Sequence, residues 1–472
     1  MNQNSNEPRD LALRELIASF ERHLTQNTSP FLSQEQFEDL LDHYYEQGDY
    51  DQTLTVANLA IEQHQFTPEF YKWKALIHKI NLEEDASLDA IERLSIYAPN
   101  DSEGLMLRLE IYIHFNKLEE AKELLTSLFG RFQSKRKQSL LFFFHGLIDL
   151  EEDRPDSALE AFRSSIELDP YQEPALDELL NASELLHLRG GLGKFFDGLL
   201  EEDPFNHLLW YYLGLYHDDN GDDYRALDAL ANARSLKDRV GRYELDYADK
   251  LFDLERYEQA LRAYDTYWDL PTAEASYETF MRMGRSHQML DDLAAARRCY
   301  FKAAEADPGH YDTYQYLGEC FAAEGKWGQA AHNYGRAVEL PAHTAECWLG
   351  LGLCLSAQNQ SDEAERAFRR AVEAGEGRYS DATVSLGIFL ADTGRETEAL
   401  ELMETALQTY EDAALMYGMV AISLICNRRV QALEMLNEAL AGFLEERSIL
   451  LEWYPSLRED RDVDAIFRLY GV

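Results

Sequence analysis

Basic residues are scarce in this chain: 44 Lys and Arg stand against 87 Asp and Glu, a formal net charge of −43 with pI near 4.6. That deficit excludes a nucleic-acid binder, whose affinity rests on clustered cations. The one basic run, Lys135-Arg136-Lys137, is too short to offset it, and anionic membranes are disfavoured on the same ground. Proline and glycine are few, 12 and 26 among 472 residues, which argues against long disordered stretches. No apolar run is long enough to span a bilayer, so membrane insertion is not expected. Met1 to Arg9 is polar and lacks the apolar core of a signal peptide. The five cysteines, Cys299, Cys320, Cys347, Cys354 and Cys426, are odd in number and irregularly spaced. They read as free core thiols in a reducing compartment, and the protein as cytoplasmic. No His-Glu-x2-His or Cys-x2-Cys spacing occurs, so neither metal nor cofactor is expected.

What is present is a period. Leu213-Gly214, Met283-Gly284, Leu317-Gly318, Leu351-Gly352 and Leu386-Gly387 mark one rung. Ala226, Ala260, Ala296, Ala330, Ala364, Ala399 and Ala432 mark another, at gaps of 34, 36, 34, 34, 35 and 33. Within one unit, Tyr314, Leu317, Gly318 and Phe321 form the apolar stripe of a first helix. Glu324-Gly325-Lys326 breaks it, with Gly suited to a left-handed cap. Ala330, Tyr334 and Ala337 share one face of a second helix, and Pro341 ends it. Small residues stand where the two helices must approach, and large aromatics fill the space between hairpins.

This pattern resembles the tetratricopeptide repeat, whose consensus is Trp-x2-Leu-Gly-x2-Tyr, then Ala-x3-Phe-x2-Ala, then Pro. Trp210-x2-Leu213-Gly214 matches it, as do Phe280-x2-Met283-Gly284 with Ala296, Tyr300, Ala303 and Pro308, and Trp348-x2-Leu351-Gly352 with Ala364, Phe368 and Ala371. Weaker units continue the register toward the N-terminus through Ala158 and Phe162, Ala121 and Leu125, Ser87 and Ile91, and the Gln47-Gly48-Asp49-Tyr50 turn. The expectation is an all-α fold, a right-handed superhelical α-solenoid of stacked antiparallel helix pairs. About twelve units span 34–446, slipping near 136–138, 275–276 and 379; the unit at 173–206 is degenerate and those at 207–413 are cleanest. Residues 1–33 read as a capping helix with a flexible start. Leu13, Leu16, Ile17, Phe20 and Leu24 follow Asp10 as N-cap, and Ser33-x2-Gln36 is a capping box. Residues 447–472 read as a C-terminal capping helix, with Val463, Ile466, Phe467 and Tyr470 on one stripe after a bend at Trp453-Tyr454-Pro455.

The resemblance implies that the first helix of each unit lines a concave groove through its second, fifth, sixth, ninth, twelfth and thirteenth positions. Applied here, the implied groove residues are Phe143 and Phe144, then Tyr211, Tyr212, Leu215, Asp218 and Asp219. They continue with Leu245, Asp246, Asp249, Phe252 and Asp253, then Met281, Arg282, Arg285 and Met289, then Asp312, Tyr316 and Glu319. Tyrosines beside carboxylates suit a basic, partly apolar protein or peptide partner. The carboxylate clamp that grips acidic chaperone tails needs Lys, Arg and Asn on these positions, and only Arg282 and Arg285 stand close together, so that use is not expected.

Catalysis is not expected, because the repeats leave too little chain for a separate catalytic domain. Gly190-Gly191-Leu192-Gly193-Lys194 fails as a phosphate loop: its first glycine would fall at Leu188, and Phe195 follows the lysine. Cys347 and Cys354 lie on one helix face as small core residues, and Asp218-Asp219 with Asp222-Asp223 read as a solvated turn. The expected function is therefore a non-enzymatic scaffold or adaptor. The alternative is a homo-oligomer that self-associates through a seam near Phe195 and Phe196.

Overall fold

The computed structural model describes residues 7–471 other than 27, 29, 186–190, 342, 377, 410–411 and 454, with side chains at 7–11, 452–453 and 455–456 left aside. It divides into two compact units, Met1–Lys237 and Asp238–Val472. The first opens with a lone helix, Glu7–Thr25, followed by six hairpins. These pair Gln34–Glu46 with Tyr50–Gln63, Pro68–Ile80 with Glu84–Tyr97, and Ser102–His114 with Leu118–Phe129. Lys135–Glu151 then pairs with Pro155–Leu168, Glu173–Leu185 with Leu192–Glu202, and His207–Asp219 with Asp223–Leu236. The second unit holds Gly241–Asp253 with Tyr257–Trp268, Tyr277–Met289 with Leu293–Ala306, and Tyr311–Ala323 with Trp327–Glu339. Ala345–Ala357 with Ser361–Ala374, Ser380–Asp392 with Glu396–Thr409, and Ala413–Ile425 with Arg429–Gly442 complete it, before the short helices Ser448–Trp453 and Arg461–Leu469. Each unit is thus a stack of antiparallel helix pairs, the α-solenoid class, and every described regular element is helical.

Close approach inside the hairpins that carry it explains the Leu-Gly rung. A Cβ added at Gly146, Gly284 or Gly352 would lie 2.4, 2.4 or 2.7 Å from the ring of Phe162, Tyr300 or Phe368, each sixteen residues on in the second helix. Gly318 stands likewise 2.9 Å from the Tyr334 ring, and Gly214 the same distance from Leu230. The Tyr334 ring also bears on the next hairpin, where a Cβ at Gly350 would sit 2.5 Å away. One aromatic therefore spaces two contacts, within its hairpin and to its neighbour.

The turn is equally constrained inside the eleven hairpins whose turn residues are all described. Gly48, Leu82, Asn116, Asp153, Gly221, Glu255, Asp291, Gly325, Asn359, Gly394 and Asn427 all take the left-handed conformation, with φ between 55° and 81°. At Gly325 its N–H donates to Ala322 O and the Lys326 N–H to Phe321 O, both at 2.9 Å, the two bonds of a Schellman cap. The same pair of bonds recurs at Leu82, where no glycine relieves the Cβ and the side chain is 72% exposed.

The ends differ partly from expectation. The N-terminal helix starts at Glu7, so Asp10 lies inside it and is not its N-cap; Pro8 falls in the first turn, where its missing N–H costs nothing. Phe20 is buried against the first hairpin with Leu16, Ile17 and Leu24. The Ser33–Gln36 capping box is formed, Gln36 N to Ser33 Oγ at 3.3 Å and Ser33 N to Gln36 Oε1 at 3.0 Å. At the other end Val463 is buried, with Ile466, Phe467 and Tyr470 packed on the last hairpin. Arg429 fastens that helix by bonds to Asp460 and Asp462, at 2.7 and 2.6 Å. Its pull, with the backbone N–H groups of Val463 and Asp462, holds the Asp460 carboxyl down near a pKa of about 2. Tyr454, the centre of the expected bend, lies outside the described residues. The degenerate unit still folds as a hairpin, Leu180 standing where its neighbours carry glycine, with a second helix shortened to Leu192–Glu202.

Two outcomes follow for stability. Gly352→Ala forces a methyl onto the Phe368 ring and is expected to lower unfolding free energy by about 1–3 kcal/mol. Gly335→Ala, on a helix with nothing within 4 Å, is expected to raise it by about 0.5–1 kcal/mol. Urea titration compares them, and equal effects would refute the close-approach account. Separately, Leu82→Gly should stabilise its unit by about 1 kcal/mol by removing the left-handed strain. A lowered urea midpoint for that variant would count against the turn assignment.

Candidate partner-binding face

Successive first helices are tied to each other by side chains about one repeat apart. In the second unit Arg282 reaches Asp253 at 3.2 Å and Asp249 at 3.7 Å. Tyr277 donates to Asp312 at 2.5 Å, Gln288 to Glu319 at 3.2 Å, and Cys347 to Gln315 at 3.3 Å. In the first unit Lys72 bridges Asp101 and Glu103 at 2.9 and 3.0 Å, Lys79 meets Glu110, and the Tyr212 hydroxyl donates to Asp177. These links tie pairs of neighbouring first helices, which stand side by side within each unit as one wall.

The links decide which expected groove residues are available. Phe144, Tyr211, Tyr212 and Met281 are not: all four are buried, Tyr212 to 1% exposure. Tyr212 points its hydroxyl to the preceding hairpin, and Met281 receives the Thr313 hydroxyl of the following one at 3.4 Å. Large side chains at these positions fill the gap between hairpins instead of facing out. Phe143, Leu215 and Asp246 are half-buried, whereas Asp218 and Asp219 are exposed at the end of their helix. Asp249 is structural: the Tyr264 hydroxyl donates to it at 2.5 Å, and burial pushes its carboxyl above the usual range.

The structure does bring Asp249, Asp253, Arg282, Arg285, Tyr316 and Glu319 together. Phe252 lies under both guanidinium groups, 5.4 Å from Arg282 and 5.3 Å from Arg285. Arg285 also faces Tyr316 at 5.8 Å, and that ring stacks on Tyr300 at 5.4 Å. Beyond them Met289 is 63% exposed.

The same repeat positions carried two hairpins further reach residues that the sequence reading did not name. Leu349, Leu353 and Ser356 on one first helix, and Asp381, Ser385, Ile388 and Asp392 on the next, line a cleft of about 480 Å³. Leu353 is 50% exposed. Burial raises the Asp381 carboxyl, helped by the charges of Asp412 and Glu346, and burial raises Asp392 unaided. The signal was present, since these are the very register positions that placed Arg285 and Tyr316.

All five cysteines are buried thiols, and desolvation pushes Cys320 and Cys354 up to about 11. Among the described residues no group of three or more His, Cys, Asp or Glu is placed to share a metal ion, and no helix is long and apolar enough to cross a membrane.

Comparison with known proteins agrees with this architecture. A tetratricopeptide repeat family model matches residues 321–377 and 349–414. No curated protein sequence matches the chain. Among solved structures, a tetratricopeptide repeat protein from Parabacteroides merdae is similar at 14% identity, over 60% of this chain and 100% of that one, with TM-score 0.41. YrrB, described as a TPR protein with an unusual peptide-binding site, is 24% identical over 40% of this chain and 96% of its own, with TM-score 0.35. The Cut9–Hcn1 hetero-tetramer of the APC/C is 13% identical over 87% and 97%, with TM-score 0.34. With its matched segment and the hairpins that repeat on either side of it, the chain is a tetratricopeptide repeat protein.

Proposed function

We propose that this protein is a non-catalytic cytoplasmic scaffold whose first-helix wall holds a protein or peptide partner. The observation that supports this is the wall's construction. Inter-repeat bonds use up Asp249, Arg282, Gln288 and Gln315, and between them Arg285, Met289 and Leu353 are left facing solvent. Exposed apolar side chains held on rigid helices lose little entropy on binding, which suits an interface. The net charge of −43 favours a basic partner through long-range steering. Self-association through Phe195 and Phe196 has less to stand on. Phe196 is fully buried, and Phe195 is half-buried beside the Arg163 guanidinium at 5.7 Å.

Affinity purification of the full chain from its native cell tests the reading. The double variant Arg285→Ala with Met289→Asp, on the wall, is expected to lose most of the co-purifying protein. Tyr224→Asp, an exposed second-helix change, should retain it. Circular dichroism of both variants checks the fold. Partners kept by the wall variant and also by Leu353→Asp further along the wall, or lost only with Tyr224→Asp, would overturn the assignment.

A further inference from the structure

The cleft between Ala345–Ala357 and Ser380–Asp392 joins an apolar floor to a carboxylate at each end of one of its helices. Its two sides are parallel helices one repeat apart, and its apolar surface comes from Leu349, Leu353, Ile388 and Phe389 over the buried ring of Phe368. Asp381 and Asp392 stand at opposite ends of one helix. Neither carboxylate has a hydrogen-bond or ion-pair partner among the described residues. By contrast, Glu365 and Glu398 on the neighbouring second helices share Arg369 and Arg395, with contacts at 2.7–2.8 Å.

The spacing of the two acids sets a ruler. They are eleven residues apart on a helix, hence on nearly the same face and about 16 Å from end to end at 1.5 Å per residue. A partner helix lying along the cleft carries the same ruler. Basic residues eleven positions apart would share one of its faces, with an aliphatic stripe between them to meet Leu353 and Ile388. An extended strand matches less well, because about five residues cover that length and an odd spacing sends the two side chains to opposite faces.

Resting on the scaffold reading above, we infer that this cleft receives an amphipathic helix of a partner protein. Its apolar stripe lies on Leu353 and Ile388, and a Lys or Arg at each end pairs with Asp381 and Asp392. The complementarity is of charge as well as shape, since two unpaired acids flank an apolar floor on a chain short of bases. Pairing partly desolvated carboxylates with cations is worth more than pairing solvated ones, and it fixes register.

Fluorescence anisotropy on the full chain tests this with labelled helical peptides sharing one leucine stripe. One has lysines eleven positions apart, a second has them seven apart on the same face, and a third has glutamates at the eleven spacing. The first peptide is expected to bind at least tenfold more tightly than the other two. Asp381→Lys with Asp392→Lys should reverse the preference, weakening the lysine peptide by tenfold or more and admitting the glutamate peptide. Circular dichroism checks that the charge-swapped protein folds, and Tyr224→Asp, outside the cleft, should leave the affinity for the lysine peptide unchanged. Equal binding of the first two peptides, no reversal in the charge-swapped protein, or tighter binding of a proline-stiffened extended version would each overturn the proposal. Native-partner capture separates it from the broader reading. Partners lost with Arg285→Ala and Met289→Asp but kept with the Asp381/Asp392 swap would sink the cleft alone, and partners kept by both would sink the scaffold assignment itself.

Discussion

The structure depends on a contact that leaves no room for a Cβ. Across Gly146, Gly284, Gly318 and Gly352 the second helix lays an aromatic ring directly on first-helix backbone, sixteen residues downstream. Such an approach brings two helices closer than any larger residue allows, and the dense packing it creates has little slack to redistribute. The hairpin's shape is therefore set locally, before any neighbour arrives. Because the Tyr334 ring touches Gly318 on one side and Gly350 on the other, the spacing inside a hairpin and the spacing between hairpins are not independent. The left-handed turn residue closes the same unit geometrically, which is why it recurs even where Leu82 and Glu255 bear its strain.

That constraint dictates what the first helices can offer. Their inner stripe is spent on the close contact, and their flanks are spent on links to the previous and following first helix. Only a narrow outward strip remains, and its chemistry varies along the stack. Around Phe252 it is cationic and aromatic, with Arg285 held by two rings. Around Leu353 it is apolar with acids at both ends. A repeat architecture makes the wall uniform in geometry and leaves it free to differ in chemistry from hairpin to hairpin.

Much of this could be read in the chain itself. The Leu-Gly and Ala rungs located the hairpins from His207 onward, with weaker marks placing the earlier ones, because steric necessity writes itself as residue size at fixed intervals. The proximity of Arg282 and Arg285 was likewise visible from helical spacing. The direction in which a large side chain leans at a groove position was not. Tyr211, Tyr212, Phe144 and Met281 occupy register positions that can face outward or fill the gap to the next hairpin, and burial is the more favourable choice for rings of that size. Asp10 misled for a different reason: it has a capping side chain, but Pro8 upstream is a better helix start, and the helix runs back to Glu7. The cleft at Leu353 needed no new signal, only the same register followed further along the chain.

Acidity alone says little about binding here. With 87 acids against 44 bases, nearly half of the carboxylates lack a partner at one base per acid, and the excess on exposed helix surface adds only a diffuse self-repulsion. The informative acids are those placed where water is thinned. Charges that serve only to keep a protein dissolved stand fully in water, as the exposed Asp156 and Asp362 do at the starts of second helices. Asp381 and Asp392 flank an apolar cleft, and burial opposes their ionisation, so the fold is less stable for holding them charged. Arg285 is a different case, an exposed cation held by rings in a chain rich in acids. Neither arrangement is needed to close a hairpin or join one to the next, and each leaves charge directed outward from a rigid wall. The proposed binding strip is therefore built of residues that the packing does not require, set on helices whose other faces the packing has already fixed.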